Sequence, residues 1–334
     1  MGCNFLPSSA VNQIEMWQAG SFDPARIDRE LGWAAGLGFD TVRVFLHDLA
    51  WRADPTGFGA RLDRFLEIAA RHGIRPLLVF FDDCWYEPEA GAQPGPRPGV
   101  HNSRWARSPG RRALDDRREW ERLEAYLRDV VRRHAEDERV LGWDVYNEVT
   151  NGFLPILGRP QPWRAVGLVG AALRRRLGSS RSIALLREAF GWIRACRPAQ
   201  PLTAGLWFPD RKLNALLVEL SDIVSFHHYR SAASLERQIA ALRRHRRPLL
   251  CTEYMARTEG SLFETHLPVF RREKIGCYSW GLVDGRSQTK FSWRDRPGGP
   301  EPEPWFHDIL RADGTPYRAA EAAFIRAATG TSRR

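Results

Sequence analysis

The chain has 334 residues, of which 43% are hydrophobic, 11% aromatic and 27% charged, with a formal net charge of +10. That apolar content supplies a large core and excludes a disordered chain, a collagen-like fibre and a small disulfide scaffold. The positive excess is nearly all Arg and is interleaved with acids, as in Arg117-Arg118-Glu119-Trp120-Glu121-Arg122, which is how solvated helix faces look; the denser runs at Arg174 to Arg176 and Arg243 to Arg247 read as exposed helix ends, and no nucleic-acid partner is expected.

Taken along the chain, a short apolar run at Cys3 to Pro7 predicts a strand, and Ile27, Leu31, Ala34 and Ala35 at helical spacing predict the first helix. Thr41 to Leu46 predicts the second strand, Leu62 to Ala69 a helix, Arg75 to Phe81 the third strand and Trp120 to His134 a helix. The alternation continues with a strand at Val140 to Tyr146, a helix at Ile183 to Cys196, and strands at Pro201 to Leu206 and Asp222 to Phe226. A helix at Leu235 to Arg244, strands at Pro248 to Thr252 and Gly276 to Leu282 on either side of a helix at Leu262 to Lys274, and a last helix at Pro316 to Ala327 complete the series.

Strands separated by helices call for parallel pairing with right-handed crossovers, and eight such units close into a (β/α)8 barrel. Residues 1–334 are then one α/β domain, although length alone favours two. A doubly wound open sheet is the other option, but no GxGxxG or Walker-type loop follows any strand. Two connections, 82–118 and 149–180, are too long to be simple turns, and both leave the C-terminal ends of strands, where barrel enzymes build their sites. The first carries Trp85, Tyr86, His101, Asn102, Arg104 and Trp105, a mixture that suits either a sugar-binding wall or a cap over the core; the second is expected to hold a short helix around Val166 to Leu177.

No apolar run approaches the ~18 to 20 residues of a membrane span, so no membrane partner is expected. Met1 to Ala10 lacks the features of a secretory leader, which predicts a cytoplasmic location unless an upstream segment has been trimmed. Cys3, Cys84, Cys196, Cys251 and Cys277 form neither a CxxC nor a Cys/His cluster, and read as free thiols rather than disulfides or zinc ligands.

Polar residues at strand ends point to chemistry, because a buried apolar strand has no structural need of them. Glu148 ends the fourth strand in Trp143-Asp144-Val145-Tyr146-Asn147-Glu148, and Glu253 ends the seventh in Leu249-Leu250-Cys251-Thr252-Glu253. A lone carboxylate there is more often an ion-pair partner or a helix cap, but the ends of strands 4 and 7 lie across a barrel mouth from one another. Two carboxylates flanking one bond are what cleavage of a glycosidic bond requires.

Asn147-Glu148, His227-His228-Tyr229, Glu253, Trp280 and Arg43, one element on each of five strands in order, resemble clan A of the glycoside hydrolases, nearest to the family 5 cellulase-like and mannanase-like enzymes. Gly2-Cys3-Asn4-Phe5-Leu6-Pro7-Ser8, Asn12 to Trp17 and Trp305-Phe306-His307-Asp308 further resemble a bacterial group described as cellulase-family or β-xylanase-like. The resemblance implies a retaining β-glycoside hydrolase with Glu148 as acid/base and Glu253 as nucleophile, their carboxyl groups about 5 to 5.5 Å apart. It also implies that Asn147 holds the sugar 2-hydroxyl, that Arg43 and Tyr229 hydrogen-bond Glu253, that His227 lines the cleavage subsite and that Trp280 lies beneath the sugar ring. Val149 stands where the family commonly has Pro, and His228 where relatives often carry a smaller polar residue.

Further substrate-binding candidates follow the other strands: Glu15 and Trp17 after the first, His47 after the second unless it caps the next helix, Asp82 after the third and Trp207 after the fifth. His228 faces away from His227 on a regular strand and reads as a packed histidine. The expected partner is a carbohydrate, with no metal or organic cofactor, and the chain is expected to be a monomer or homodimer. The competing reading is a catalytically weak carbohydrate-binding barrel.

Overall fold

The computed structural model describes residues 1–151 and 181–331. Eight parallel strands form one sheet: β1 (Gly2–Asn4), β2 (Thr41–Phe45), β3 (Arg75–Asp82), β4 (Gly142–Asn147), β5 (Leu202–Thr203), β6 (Val224–His228), β7 (Leu249–Tyr254) and β8 (Gly276–Trp280). Their order, β5-β4-β3-β2-β1-β8-β7-β6, places the first strand between the second and the last. The two open edges meet through Leu206, which bridges Phe226: its N–H donates to Ser225 O at 2.9 Å and its carbonyl accepts from His227 N at 2.9 Å. With helices in the connections this is a (β/α)8 barrel.

The strands are buried on both faces, one in the barrel and one under helices, and β3 reads as the apolar run that such burial favours. In β3 every residue after Arg75 is buried. Phe58, Leu62, Phe65, Leu66 and Ala69 occupy one face of the helix Pro55–Arg71, and Leu123, Tyr126, Leu127 and Val130 one face of Trp120–Arg133; both faces are buried in a common core with the strands. Gly2 is dictated by space, since a Cβ there would lie 2.0 Å from the carbonyl oxygen of Thr41 on β2.

The helix Arg211–Leu220 between β5 and β6 is an element the apolar spacing did not bring out, although Leu213, Leu216 and Leu217 bury one of its faces. Connection 82–118 contains a helical turn at Arg111–Asp115 and a tighter one at Arg117–Glu119. The short helix expected around 166–177 lies outside the described residues. Among the described residues no helix is long and apolar enough to cross a membrane.

Register irregularities sit at the mouth. Phe226 pairs with Cys251, yet His227 pairs with Glu253, so Thr252 is an extra residue in β7, and β7 slips again against β8 between Cys251 and Tyr254. A bulge re-aims the side chains beyond it, and here it sets Glu253 opposite His227.

Candidate active site

β4 ends in Asn147, and Glu148 follows it at φ 44°, a left-handed conformation uncommon for a residue with a Cβ and frequent at functional sites. One Glu148 oxygen, Oε1, lies 2.8 Å from Nδ1 of His227; the other accepts from the Cys84 thiol at 3.1 Å and from the Asn151 amide. Glu253 is held differently. Its Oε1 accepts from Arg43 Nη1 at 2.9 Å and its Oε2 from the Tyr229 hydroxyl at 2.9 Å, with His227 Nδ1 3.4 Å away. One oxygen of each carboxylate and His227 Nδ1 lie within 4.8 Å of one another.

Arg43 projects from β2 with no solvent exposure and satisfies its guanidinium on four acceptors: Asp144 at 2.9 Å, Asn4 at 3.0 Å, Glu253 at 2.9 Å and Asn147 at 2.7 Å. Such a buried cation is tolerable only because two carboxylates and two amide oxygens replace water around it. Asn147 is fixed in turn, its Nδ2 donating to Asp82 Oδ1 at 3.0 Å. Asp82 also accepts from the Trp105 indole at 2.7 Å.

Burial pushes both Glu148 and Glu253 above the usual carboxylate range. For Glu253 the His227, Arg43 and Tyr229 contacts oppose that rise, whereas the hydrogen bonds opposing it at Glu148 come from the uncharged Cys84 and Asn151. Burial lowers His227 to about 4, so at neutral pH the ring is uncharged, and its Nδ1 lies within hydrogen-bond reach of both carboxylates. The arrangement can hold one carboxylate ionised beside a cation and the other protonated beside neutral donors.

Glu148, Glu253, Asn147, Tyr229, Trp280 and Trp207 all line one pocket of about 590 Å³ at the C-terminal ends of the strands, with Arg43 and His227 directly behind the carboxylates. Trp207 is anchored by its indole, which donates to Val149 O at 3.0 Å. Asp82 lies one contact back and acts on the site through Asn147 and Trp105. The remaining three candidates are not brought to the pocket. His47 is buried and caps the helix Asp48–Ala53, its Nδ1 accepting from Leu49 N. Trp17 is packed among Phe22, Phe58 and Phe65 with its indole donating to Phe45 O, and Glu15 pairs with Arg286 at 2.7 Å. His228 points away from the mouth toward Gln238, which its Nδ1 meets at 2.7 Å.

The loop after β3 does form a wall of the pocket, through Trp85, His101, Asn102 and Trp105. Cys84, Asn151, Trp293 and His307 also line it and were not singled out for the site from the sequence. Cys84 looks there like one more buried thiol, and Trp293 and His307 come from the connection after β8, which carried no polar strand-end signal. His307 alone had a pointer, in the Trp305 to Asp308 motif.

Glu148, His227 and Glu253 are also a possible donor set for a cation. The Arg43 guanidinium, already bonded to Glu253, opposes a second positive charge at that point.

No family model matches the chain, and no curated protein matches it. Solved structures do. GH5_18 from Streptomyces cattleya in complex with Manb1-4GlcNAc superposes with a TM-score of 0.64 at 16% identity, covering 99% of this chain and 80% of that one. The exo-beta-1,4-mannosidase Op5Man5 from Opitutaceae bacterium strain TAV5 gives 0.62 at 19% identity, covering 100% of this chain and 60% of that one. A hyperthermostable endo-1,4-beta-D-mannanase from Thermotoga petrophila RKU-1 gives 0.60 at 14%, covering 99% of both chains. The fold neighbours of this barrel are thus GH5-type mannanases and glycosidases.

Proposed function

We propose that the protein is a retaining β-glycoside hydrolase acting on gluco-, manno- or xylo-type β-linked sugars, with Glu148 as general acid/base and Glu253 as nucleophile. The observation that carries this reading is the pair of carboxylates at the ends of β4 and β7, with oxygens within 4.8 Å and opposite kinds of partner. Carboxylates this near to one another suit attack by one on the anomeric carbon while the other protonates the leaving oxygen. Arg43 and Tyr229 favour the charged form of Glu253 that a nucleophile needs. Glu148, without a cation bonded to it, suits a proton donor. Aromatic rings around the pocket, Trp85, Trp105, Trp207, Trp280 and Trp293, offer apolar faces to sugar C–H groups.

The first step would form a covalent glycosyl ester on Glu253 with inversion. Water deprotonated by Glu148 would release the sugar with a second inversion and net retention. Exo- and endo-acting enzymes both occur among the fold neighbours, so the barrel itself does not set the mode of attack.

The test is hydrolysis of a panel of aryl β-glycosides and β-linked oligosaccharides, followed by NMR of the first product. The β-anomer is expected. An α-anomer would overturn the retaining mechanism, and no turnover across the panel, with sugar binding retained, would turn the reading to a carbohydrate-binding barrel.

A further inference from the structure

The loops after β3 and β8 are clasped together. Asn102 N donates to Ser287 O at 2.9 Å, Gly99 N to Gln288 Oε1 at 3.0 Å, Gly298 N to Pro98 O at 2.8 Å, and Gln288 Nε2 reaches back to Arg97 O at 2.7 Å. His101 Nδ1 lies 2.8 Å from Phe291 O. The clasp brings His101, Asn102, Trp293 and His307 into one wall of the pocket, with the His101 and His307 ring centres 5.3 Å apart. In an eight-stranded barrel β8 stands opposite β4, and the part of the wall that follows β8, Trp293 and His307, packs on Tyr229, whose hydroxyl bonds Glu253, so it stands on the Glu253 side of the pocket. If Glu148 protonates the leaving oxygen, the leaving group lies on the Glu148 side, and the clasp closes the other end, where the sugar to be transferred sits.

The wall is also close. The Trp293 and His307 rings lie 5.5 and 5.9 Å from that of Tyr229, whose hydroxyl bonds Glu253, so the wall adjoins the residue that holds the nucleophile. Two buried polar atoms of the wall, Asn102 Oδ1 and His307 Nε2, have no hydrogen-bond partner among the described residues. His307 Nδ1 lies 2.6 Å from Met255 O, so that nitrogen carries the hydrogen and Nε2 presents a lone pair; burial keeps the ring neutral. Both atoms are therefore acceptors, and buried acceptors demand donors. A sugar supplies them as free hydroxyls, and at the non-reducing end of a β-1,4-linked chain these include the 4-hydroxyl, which an internal sugar has lost to its linkage. An oxygen that already carries another sugar has no hydrogen to give.

From the clasp and its two unpartnered acceptors we infer that the enzyme is exo-acting and removes single sugars from the non-reducing end, with His307 and Asn102 recognising hydroxyls of that terminal sugar. This rests on the glycosidase reading above.

The test compares 4-nitrophenyl β-D-mannoside and β-D-glucoside with the corresponding 4-nitrophenyl β-1,4-biosides. Immediate nitrophenol release is expected from a monoside, whereas from its bioside a free monosaccharide should appear first and nitrophenol only after a lag. Direct release of nitrophenol and intact disaccharide from a bioside, faster than cleavage of the monoside, would overturn exo attack and leave the glycosidase reading standing. No cleavage of monosides, biosides or the wider panel would overturn both. Asn102→Ala and His307→Gln should each lower kcat/KM on the cleaved monoside about tenfold or more, as expected for losing one buried hydrogen bond. Wild-type values in folded protein would remove those residues from the proposal, and if His307→Gln fails to fold, Asn102→Ala carries the test.

Discussion

The ends of β4 and β7 present the same side chain to the same pocket in two unlike settings. At β7, Glu253 lies against a buried guanidinium and a phenol; at β4, Glu148 lies against a thiol, an amide and a neutral imidazole. His227 touches both. On the proposed assignment, nucleophile and acid are told apart by partners supplied by other strands, not by the carboxylates themselves. Arg43 on β2 and Tyr229 just beyond β6 mark one, and the segment just beyond β3, through Cys84, marks the other.

The largest expected effect comes from removing the carboxylates one at a time. Glu253→Gln should abolish turnover on every substrate. Glu148→Gln should cost about 10²- to 10⁴-fold on substrates with poor leaving groups and much less on activated aryl glycosides, which need no acid in the first step. Azide distinguishes the two ends: Glu148→Ala should yield a β-glycosyl azide by net retention, and Glu253→Ala an α-azide by a single inversion, read by NMR. Azides of the reverse configurations would exchange the two roles.

Arg43→Met comes next, and its readout is stability. The substitution leaves Asp144 and Glu253 buried without their cation, a change that costs about 3–5 kcal/mol in denaturant melts at neutral pH. Burial pushes Glu253 upward, and protonating it removes that stranded charge, so the deficit should narrow in acid. An unchanged midpoint would mean that the cation does not hold the two strands' carboxylates together. Activity should fall as well, because Glu253 loses the partner that favours its charge.

Much of this molecule is legible in its residues, and the exceptions have a common cause. β3 declares itself because a strand buried on both faces is a continuous apolar run, and Glu148 and Glu253 stand out as charges that end largely apolar strands. Asp144 sits inside β4, and its purpose becomes plain only with Arg43, 101 residues away in the chain. His47 sits just beyond β2, and Glu15 and Trp17 lie in the short helix Gln13–Trp17 that follows β1, but helix capping, an ion pair and packing claim them. The acceptors Asn102 and His307 depend on two loops meeting in space, and a thiol such as Cys84 carries no sign in the sequence of whether it faces a carboxylate. Position along a strand is a local property, whereas partnership is not.

A finer test moves the two limbs of the pH profile separately. With Glu253 required charged and Glu148 required protonated, kcat/KM rises as pH passes the pKa of Glu253 and falls as it passes that of Glu148, the two values belonging to the coupled pair. Both carboxyls are pushed up by burial, so the acid limb should lie above the usual Glu range. Tyr229→Phe removes an O–H donor that favours the charged form of Glu253; its pKa rises, and the acid limb should move to higher pH by about one unit. A shift of the basic limb alone would contradict the assignment.

The smallest effect belongs to Cys84. Its thiol is itself pushed up by burial and stays protonated, so it acts as a weak donor to the charged form of Glu148 and thereby lowers that carboxyl's pKa. Cys84→Ala removes the donor. Glu148 then holds its proton to higher pH, and the basic limb should move up by about half a unit or less while the acid limb stays put. Cys84→Ser restores a stronger donor at the same place and should bring the limb back to or below its original position. A purely packing role would make both substitutions alter stability without moving either limb, so the pair of pH profiles separates a thiol that tunes the acid from one that merely fills space behind it.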